Sequence, residues 1–400
     1  MSKNLGTIVS FLIYSLGLAA VLIGDLFVAK FFDNIFVADW AFIKSAMMIV
    51  SSICLLGYDV LFVRDVTLIK RYLKRFVIQA VLISLLAVIL INYFTKYSFE
   101  EIVLVYIAVI SLAFLNYMSA GSRATHNFWI AQLSNNLWKI ILLISVLFYT
   151  LSSVVEYYFI SILLGLIVAF FTKGFIPKEV DESYVSIPLG EANKMGFYFL
   201  LTNLTLIFAV HGEQFVINLY GDPITSSYLF TYFSVFTPIA LSVNGFLGFY
   251  YGPKIRKEKQ FGLRQYFSFS KKILLFSIII TPLSIIAGYL YMRFYMNSAF
   301  TEIDTSLVIV LSLLCVVRGV YVATSIGLGI FGTTSSLSKS AALFWVLTLL
   351  YIGLIILILK YVNGMLIPFG IALASLLNWG GRLIISNYFT IVELKKIKSV

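Results

Sequence analysis

Apolar runs of 18 or more residues, parted by short polar stretches, recur from end to end of the 400-residue chain. A helix rises 1.5 Å per residue, so about 20 apolar residues cross the ~30 Å hydrocarbon core of a bilayer. The pattern predicts spans at 7–29, 41–63, 77–94, 101–120, 128–150, 155–172, 195–219, 226–251, 272–292, 305–326, 336–359 and 364–387. The runs are continuously apolar, as from Leu85 to Ile91 and from Leu354 to Leu359. They therefore predict helices and not the alternating ~10-residue strands of a membrane barrel. The expected fold class is an all-α polytopic membrane protein with about twelve transmembrane helices.

The polar stretches orient these spans. Arg64, Lys70, Arg71, Lys74 and Arg75 lie between spans two and three. Seven cations from Lys254 to Lys272 lie between spans eight and nine, and Lys395, Lys396 and Lys398 are in the tail. The opposite loops hold only Lys30, Lys96, Arg293 and Lys360. The positive-inside rule then places both termini in the cytoplasm. The longest polar stretch, 173–194, contains Pro177, Pro188, Glu179, Asp181 and Glu182. It reads as a cytoplasmic linker between an N-terminal six-helix bundle (1–172) and a C-terminal six-helix bundle with a basic tail (195–400).

Composition agrees. Hydrophobic residues make up 61% of the chain and charged residues 12%, about half the share usual in soluble domains. The mean hydropathy is +0.99. A net charge of +11 would suggest nucleic acid in a soluble protein, but here the cations sit in short loops, where they set topology and touch anionic lipids. Cys54 and Cys315 fall inside apolar runs and read as small core hydrophobes, not a disulfide framework. The first apolar run is too long for a signal-peptide core and reads as a retained span.

At an offset of 188 the chain matches itself without a gap. Gly24-Asp25-Leu26-Phe27-Val28 sets against Gly212-Glu213-Gln214-Phe215-Val216, Trp40 against Tyr228, Phe42 against Phe230 and Gly57 against Gly245. Spans one and two thus repeat as spans seven and eight, both entering from the same side. Parallel repeats of this kind are a transporter architecture, with a central path between the halves. Chance likeness among apolar helices competes with this reading; the shared Gly–acid pair and the central linker stand against it.

Ionisable residues inside the membrane are costly and mark function by default. Asp25 lies roughly 27 Å along span one at 1.5 Å per residue, and Glu213 occupies the same depth in span seven. Lys44 enters span two near that level, so an Asp25–Lys44 pair is expected, with snorkelling to the interface as the plainer reading of Lys44. Arg318, near the centre of span ten, cannot snorkel. Its always-charged planar fork suits phosphate oxygens, so it reads as an anion ligand, with a structural ion pair as the alternative. Lys139 in span five is a weaker case of the same kind. Arg123, Asp59 and Arg382 are expected at the cytoplasmic surface or interface, and Asp59 is within local reach of Arg64. His211 is one of two histidines and a candidate proton site near neutral pH, although His211 and Glu213 do not share a helical face. The chain contains no CxxC pair, HExxH, GxSxG or P-loop, and no enzyme chemistry or resident cofactor is expected.

Two stretches carry a family resemblance. Gly212 to Ile255 has an acid-bearing segment, Gly221, Tyr228 and a long span closing on Pro253-Lys254-Ile255; Ser122-Arg123-Ala124 precedes Leu137-Trp138-Lys139. In these, and in span count and spacing over the whole chain, the protein resembles the O-antigen flippases (Wzx type) of the multidrug/oligosaccharidyl-lipid/polysaccharide (MOP) superfamily. The motifs are loose, and Glu213 stands where relatives often have Asp. The resemblance implies two six-helix bundles around a central cavity lined by spans one, two, seven and eight. It implies export of an undecaprenyl-pyrophosphate-linked sugar repeat, H+ or Na+ coupling, and polysaccharide polymerase and chain-length machinery as partners. Arg318, Lys44 and Lys139 would then meet the pyrophosphate, while Asp25, Glu213 and His211 would serve the coupling ion. A drug/cation antiporter of the same fold would instead favour acids. A membrane polymerase or ligase would need a sizeable outer loop, and the longest here is about 293–304.

Overall fold

The computed structural model describes residues 3–95, 97–125, 127–148, 151–172, 188–257, 261–295, 303–364 and 366–397. These residues form fourteen helices: α1 (Lys3–Phe31), α2 (Asn34–Ile53), α3 (Tyr58–Arg64), α4 (Leu68–Thr95), α5 (Phe99–Ala124), α6 (Phe128–Leu147), α7 (Val154–Phe171), α8 (Leu189–Tyr220), α9 (Pro223–Phe236), α10 (Pro238–Lys257), α11 (Leu263–Tyr295), α12 (Thr305–Phe331), α13 (Thr334–Tyr361) and α14 (Leu366–Ile397). Eleven are long and apolar enough to cross a membrane. The pair α9 and α10, bent by 57° at a short break, makes a twelfth when counted as one broken span. The fold is all-helical, with two parallel repeats of six passages each.

Local chemistry starts and stops these helices. Ser98 and Glu101 form a reciprocal capping box on α5, and Ser153 and Glu156 form one on α7, each satisfying otherwise orphaned backbone donors. Single side-chain caps come from Asp33 on α2, Asp222 on α9, Asp304 on α12 and Thr333 on α13. Pro223 opens α9 at a position where its missing N–H costs nothing.

The expected continuous spans 41–63 and 226–251 are both interrupted. α2 ends at Ile53 and α3 begins at Tyr58, with Leu56 (φ 46°) and Gly57 (φ 76°) in left-handed conformation between them. Pro238 ends the second run, because it has no N–H to continue the α9 ladder. The second passage of each repeat is therefore broken, although not at equivalent positions. α8 begins at Leu189, within the stretch expected as linker; 173–187 lies outside the described residues, as do His126, Lys259, Lys398 and most of the loop 293–304.

The chain divides into two compact units, Met1–Ile207 and Phe208–Val400. In the first, α1 packs along α6, and α5, α6 and α7 pack on one another. In the second, α12 packs on α14, α13 on α14 and α11 on α12. The repeat equates α5·α7 with α12·α14, α6·α7 with α13·α14 and α4·α5 with α11·α12, and all of these pairs are in contact. Gly17 permits the tight α1–α6 approach, since a Cβ there would lie 2.4 Å from the Asn136 Cβ. Along α4, α11 and α13, large apolar residues such as Leu86, Leu90, Ile279, Leu349 and Leu350 face outward, a surface that hydrocarbon and not water can solvate.

Candidate functional site

Each unit encloses a polar cluster around the acid of its repeated Gly–acid pair. In the N-terminal unit, the Asp25 carboxylate on α1 is buried. It accepts a hydrogen bond from Trp40 Nε1 at 2.9 Å and a salt bridge from Lys44 Nζ at 2.5 Å, both on α2. Trp40 and Lys44 are four residues apart and so share a helix face, which lets α2 present both donors to one carboxylate. Tyr158 of α7 packs its ring on Trp40, 4.8 Å between centroids. Lys139 on α6 donates to Asn136 Oδ1 at 2.9 Å, and Asn136 in turn donates to Gln132 Oε1 at 2.8 Å. Lys139 is close enough to Lys44 for the two charges to repel. The expected Asp25–Lys44 pair is present, and it brings Lys139 into the same neighbourhood.

In the C-terminal unit, Glu213 on α8 is also buried. It accepts from the Tyr351 hydroxyl of α13 at 2.7 Å, with Ser375 of α14 beside it. Arg318 on α12 is half-buried. Its guanidinium lies over the Trp379 ring at 4.5 Å and attracts Glu213 electrostatically. Trp379 is itself anchored by its Nε1 donating to the Ala209 carbonyl at 3.2 Å. The ring thus touches both the Arg318 guanidinium and the helix that carries Glu213. His211 is half-buried on α8 and does not share the Glu213 face. Among the described residues no group of three or more His, Cys, Asp or Glu side chains is placed to hold a metal.

One expectation near the helix ends changes. Arg382 was expected at the interface but is fully buried, with its guanidinium over the Phe344 ring at 4.9 Å. The cause is helix length: α14 continues to Ile397, well past the expected end at 387, so Arg382 is interior. Arg123 is exposed and donates through Nη2 to the Asp59 carbonyl at 3.4 Å; the Arg64 side chain, and with it the expected Asp59–Arg64 contact, lies outside the described residues. Tyr351, Trp379 and Asn378 were not singled out from sequence. For Asn378 the signal available was the three-to-four-residue recurrence of polar positions along α14.

No family model and no curated protein matches the chain. Two solved structures do. One, described as "Lipid II flippase MurJ, inward closed conformation", aligns with TM-score 0.62 at 20% identity, covering 100% of this chain and 88% of that one. The other, described as an inward-facing multidrug resistance MATE family transporter of the MOP superfamily, aligns with TM-score 0.57 at 16% identity, covering 98% and 99%. Both are transporters and not enzymes, and the similarity runs the whole length of the chain. The protein therefore has the MOP-type fold of paired helical bundles that a lipid II flippase and a multidrug transporter share.

Proposed function

We propose that the protein is a flippase for a lipid-linked glycan. It moves an undecaprenyl-pyrophosphate-linked oligosaccharide repeat, of O-antigen or a related surface polysaccharide, from the cytoplasmic to the outer leaflet of the bacterial inner membrane, with both of its own termini cytoplasmic. The observation that carries this reading is the balance of charge in the two clusters. Lys44, Lys139 and Arg318 outnumber Asp25 and Glu213 within the bundles. A pyrophosphate headgroup needs cations along its route through a medium that charge otherwise avoids, whereas a carrier of cationic drugs needs a surplus of acids. Of these bases, Arg318 offers phosphate the planar fork of guanidinium donors, and Lys139 adds a point charge. Asp25 and Glu213, with His211 nearby in sequence, are the groups to bind a coupling H+ or Na+. Polymerase and chain-length proteins that consume the exported repeat are the expected partners.

The test is deletion of the gene in its host, followed by measurement of surface glycan and of lipid-linked intermediates. Loss of surface glycan with complete repeats held inside, restored by wild type but reduced at least tenfold with Arg318→Ala, supports the reading. Unchanged glycan together with new sensitivity to cationic drugs replaces it with a drug/cation antiporter.

A further inference from the structure

Ser375, Asn378, Arg382, Ser386, Thr390 and Glu393 recur every three or four residues along α14, so they form one stripe on one helix face. All six are buried, and they face α12 and α13: Arg382 reaches Thr348, Thr390 bonds the Thr324 carbonyl, and Glu393 accepts from Ser336. Ser375, at one end, lies beside the Glu213–Tyr351 bond with its hydroxyl unpartnered. Glu393, at the other, also accepts from Thr333 and Lys396, each at 2.9 Å, so that end of the stripe is satisfied.

The middle is not. Arg382 is 0% exposed. Its Nη2 has a long contact of 3.4 Å to Thr348 Oγ1 and the Tyr321 hydroxyl lies near the guanidinium, while Nε and Nη1 have no hydrogen-bond partner. The Asn378 amide, one turn away, is unpartnered at both its oxygen and its nitrogen, as is the Ser386 hydroxyl one turn to the other side. Buried polar groups are hydrogen-bonded in folded proteins, and each exception calls for a cause. Charge sharpens the point. Arg382 carries a full positive charge, and among the described residues no carboxylate pairs with it. Glu213 is held by Tyr351 and attracted by Arg318. Glu393 is eleven residues along, about 16 Å of helix. Phe344 covers one face of the guanidinium. Water could fill the hydrogen bonds but would leave the charge unbalanced, and an uncompensated charge in a bundle core is strongly destabilising.

Arg has donors only, and the Asn378 amide and the Ser386 hydroxyl can both donate as well. Helical side chains lean toward the N-terminus, which carries the Arg382 fork toward Asn378 and the Ser386 hydroxyl toward the Arg382 level. We infer that Arg382, Asn378 and Ser386 bind a small monovalent inorganic anion of the halide class inside the C-terminal bundle. Such an ion neutralises one surplus charge and accepts from all three residues. The site is separate from the cargo reading and stands whether the cargo is a glycan or a drug.

The test uses the full-length protein in detergent, with its Tm followed as chloride or bromide replaces gluconate at constant ionic strength. A ligand that binds only the folded state raises Tm saturably, here by roughly 5 °C at high occupancy. The rise is expected in wild type and absent in Arg382→Met, which in gluconate should be no less stable than wild type. Asn378→Leu, which keeps the charge, should shift the halide midpoint at least tenfold higher and serves if Arg382→Met fails to fold. A flat halide response in wild type, or an unshifted one in Asn378→Leu, overturns the inference.

Discussion

Gly57 combines two demands that only glycine meets. Its φ is 76°, and a Cβ would lie 2.3 Å from the Gly196 carbonyl oxygen and 2.5 Å from the Leu200 nitrogen. Gly57→Ala is expected to cost about 2 kcal/mol through left-handed strain and the clash with backbone, read as a lower Tm in detergent. Gly353 is the control: it lies within α13 and nothing approaches within 4 Å of its Cβ position, so Gly353→Ala should be neutral or gain about 0.5–1 kcal/mol. Equal effects of the two substitutions would refute the close-approach account. Asp25 and Lys44 make a second residue-scale case. Their side chains are 9% and 20% exposed, between the surface and buried limits for ion pairs. Asp25→Asn or Lys44→Met alone should cost about 2 kcal/mol, since each strands a charge, while the double variant should cost less than the sum. Additive losses in a thermal double-mutant cycle would show that the pair is incidental.

Helices are the scale at which capping acts. Asp222 ends the turn before α9 and accepts from the Thr225 N–H at 2.9 Å and the Thr225 hydroxyl at 2.7 Å. Partial burial pushes its pKa up, but these hydrogen bonds outweigh it and hold the carboxyl below its ordinary value. A depressed folded pKa stabilises above the unfolded value and loses that stabilisation as pH falls through the folded one. The cap should therefore weaken only in acid below the usual carboxylate range, and stay intact at neutral pH. Asp222→Ala is expected to cost about 1 kcal/mol at pH 7, with the difference from wild type narrowing as the pH drops toward 3. A gap in Tm that persists undiminished at that pH would contradict the charged-cap explanation.

For the molecule as a whole, twelve passages, counting α9 and α10 as one, place the two ends of the chain on the same side. Cys54 and Cys315 are both free and buried, so the unmodified protein should resist an impermeant maleimide in intact cells. Lys360→Cys, at the end of α13, should label from outside, while Lys396→Cys, near the end of α14, should label only after permeabilisation. The reverse pattern would invert the proposed orientation, and with it the direction assigned to export.

How much of this was legible beforehand follows from where each constraint acts. A helix in lipid must satisfy its own backbone hydrogen bonds within one segment, so length and apolarity, read one run at a time, were enough for the all-helical class and the number of passages. Parallel repeats were legible for a related reason, since Gly24-Asp25 and Gly212-Glu213 stand in the same register. The breaks after Ile53 and at Pro238 were not legible from hydropathy, because an apolar run hides a left-handed glycine or a missing donor. Arg382 was misplaced because the end of an apolar run is not the end of its helix: α14 runs on through polar residues that its neighbours bury. The partners of Glu213, Arg318 and Arg382 lie on helices dozens to more than a hundred positions away in the chain. The sequence alone thus determined which segments enter the membrane and which charges they carry with them. Beyond the Asp25–Lys44 pair, only the tertiary structure decided which of those charges meet, because packing between distant helices selects the faces that touch.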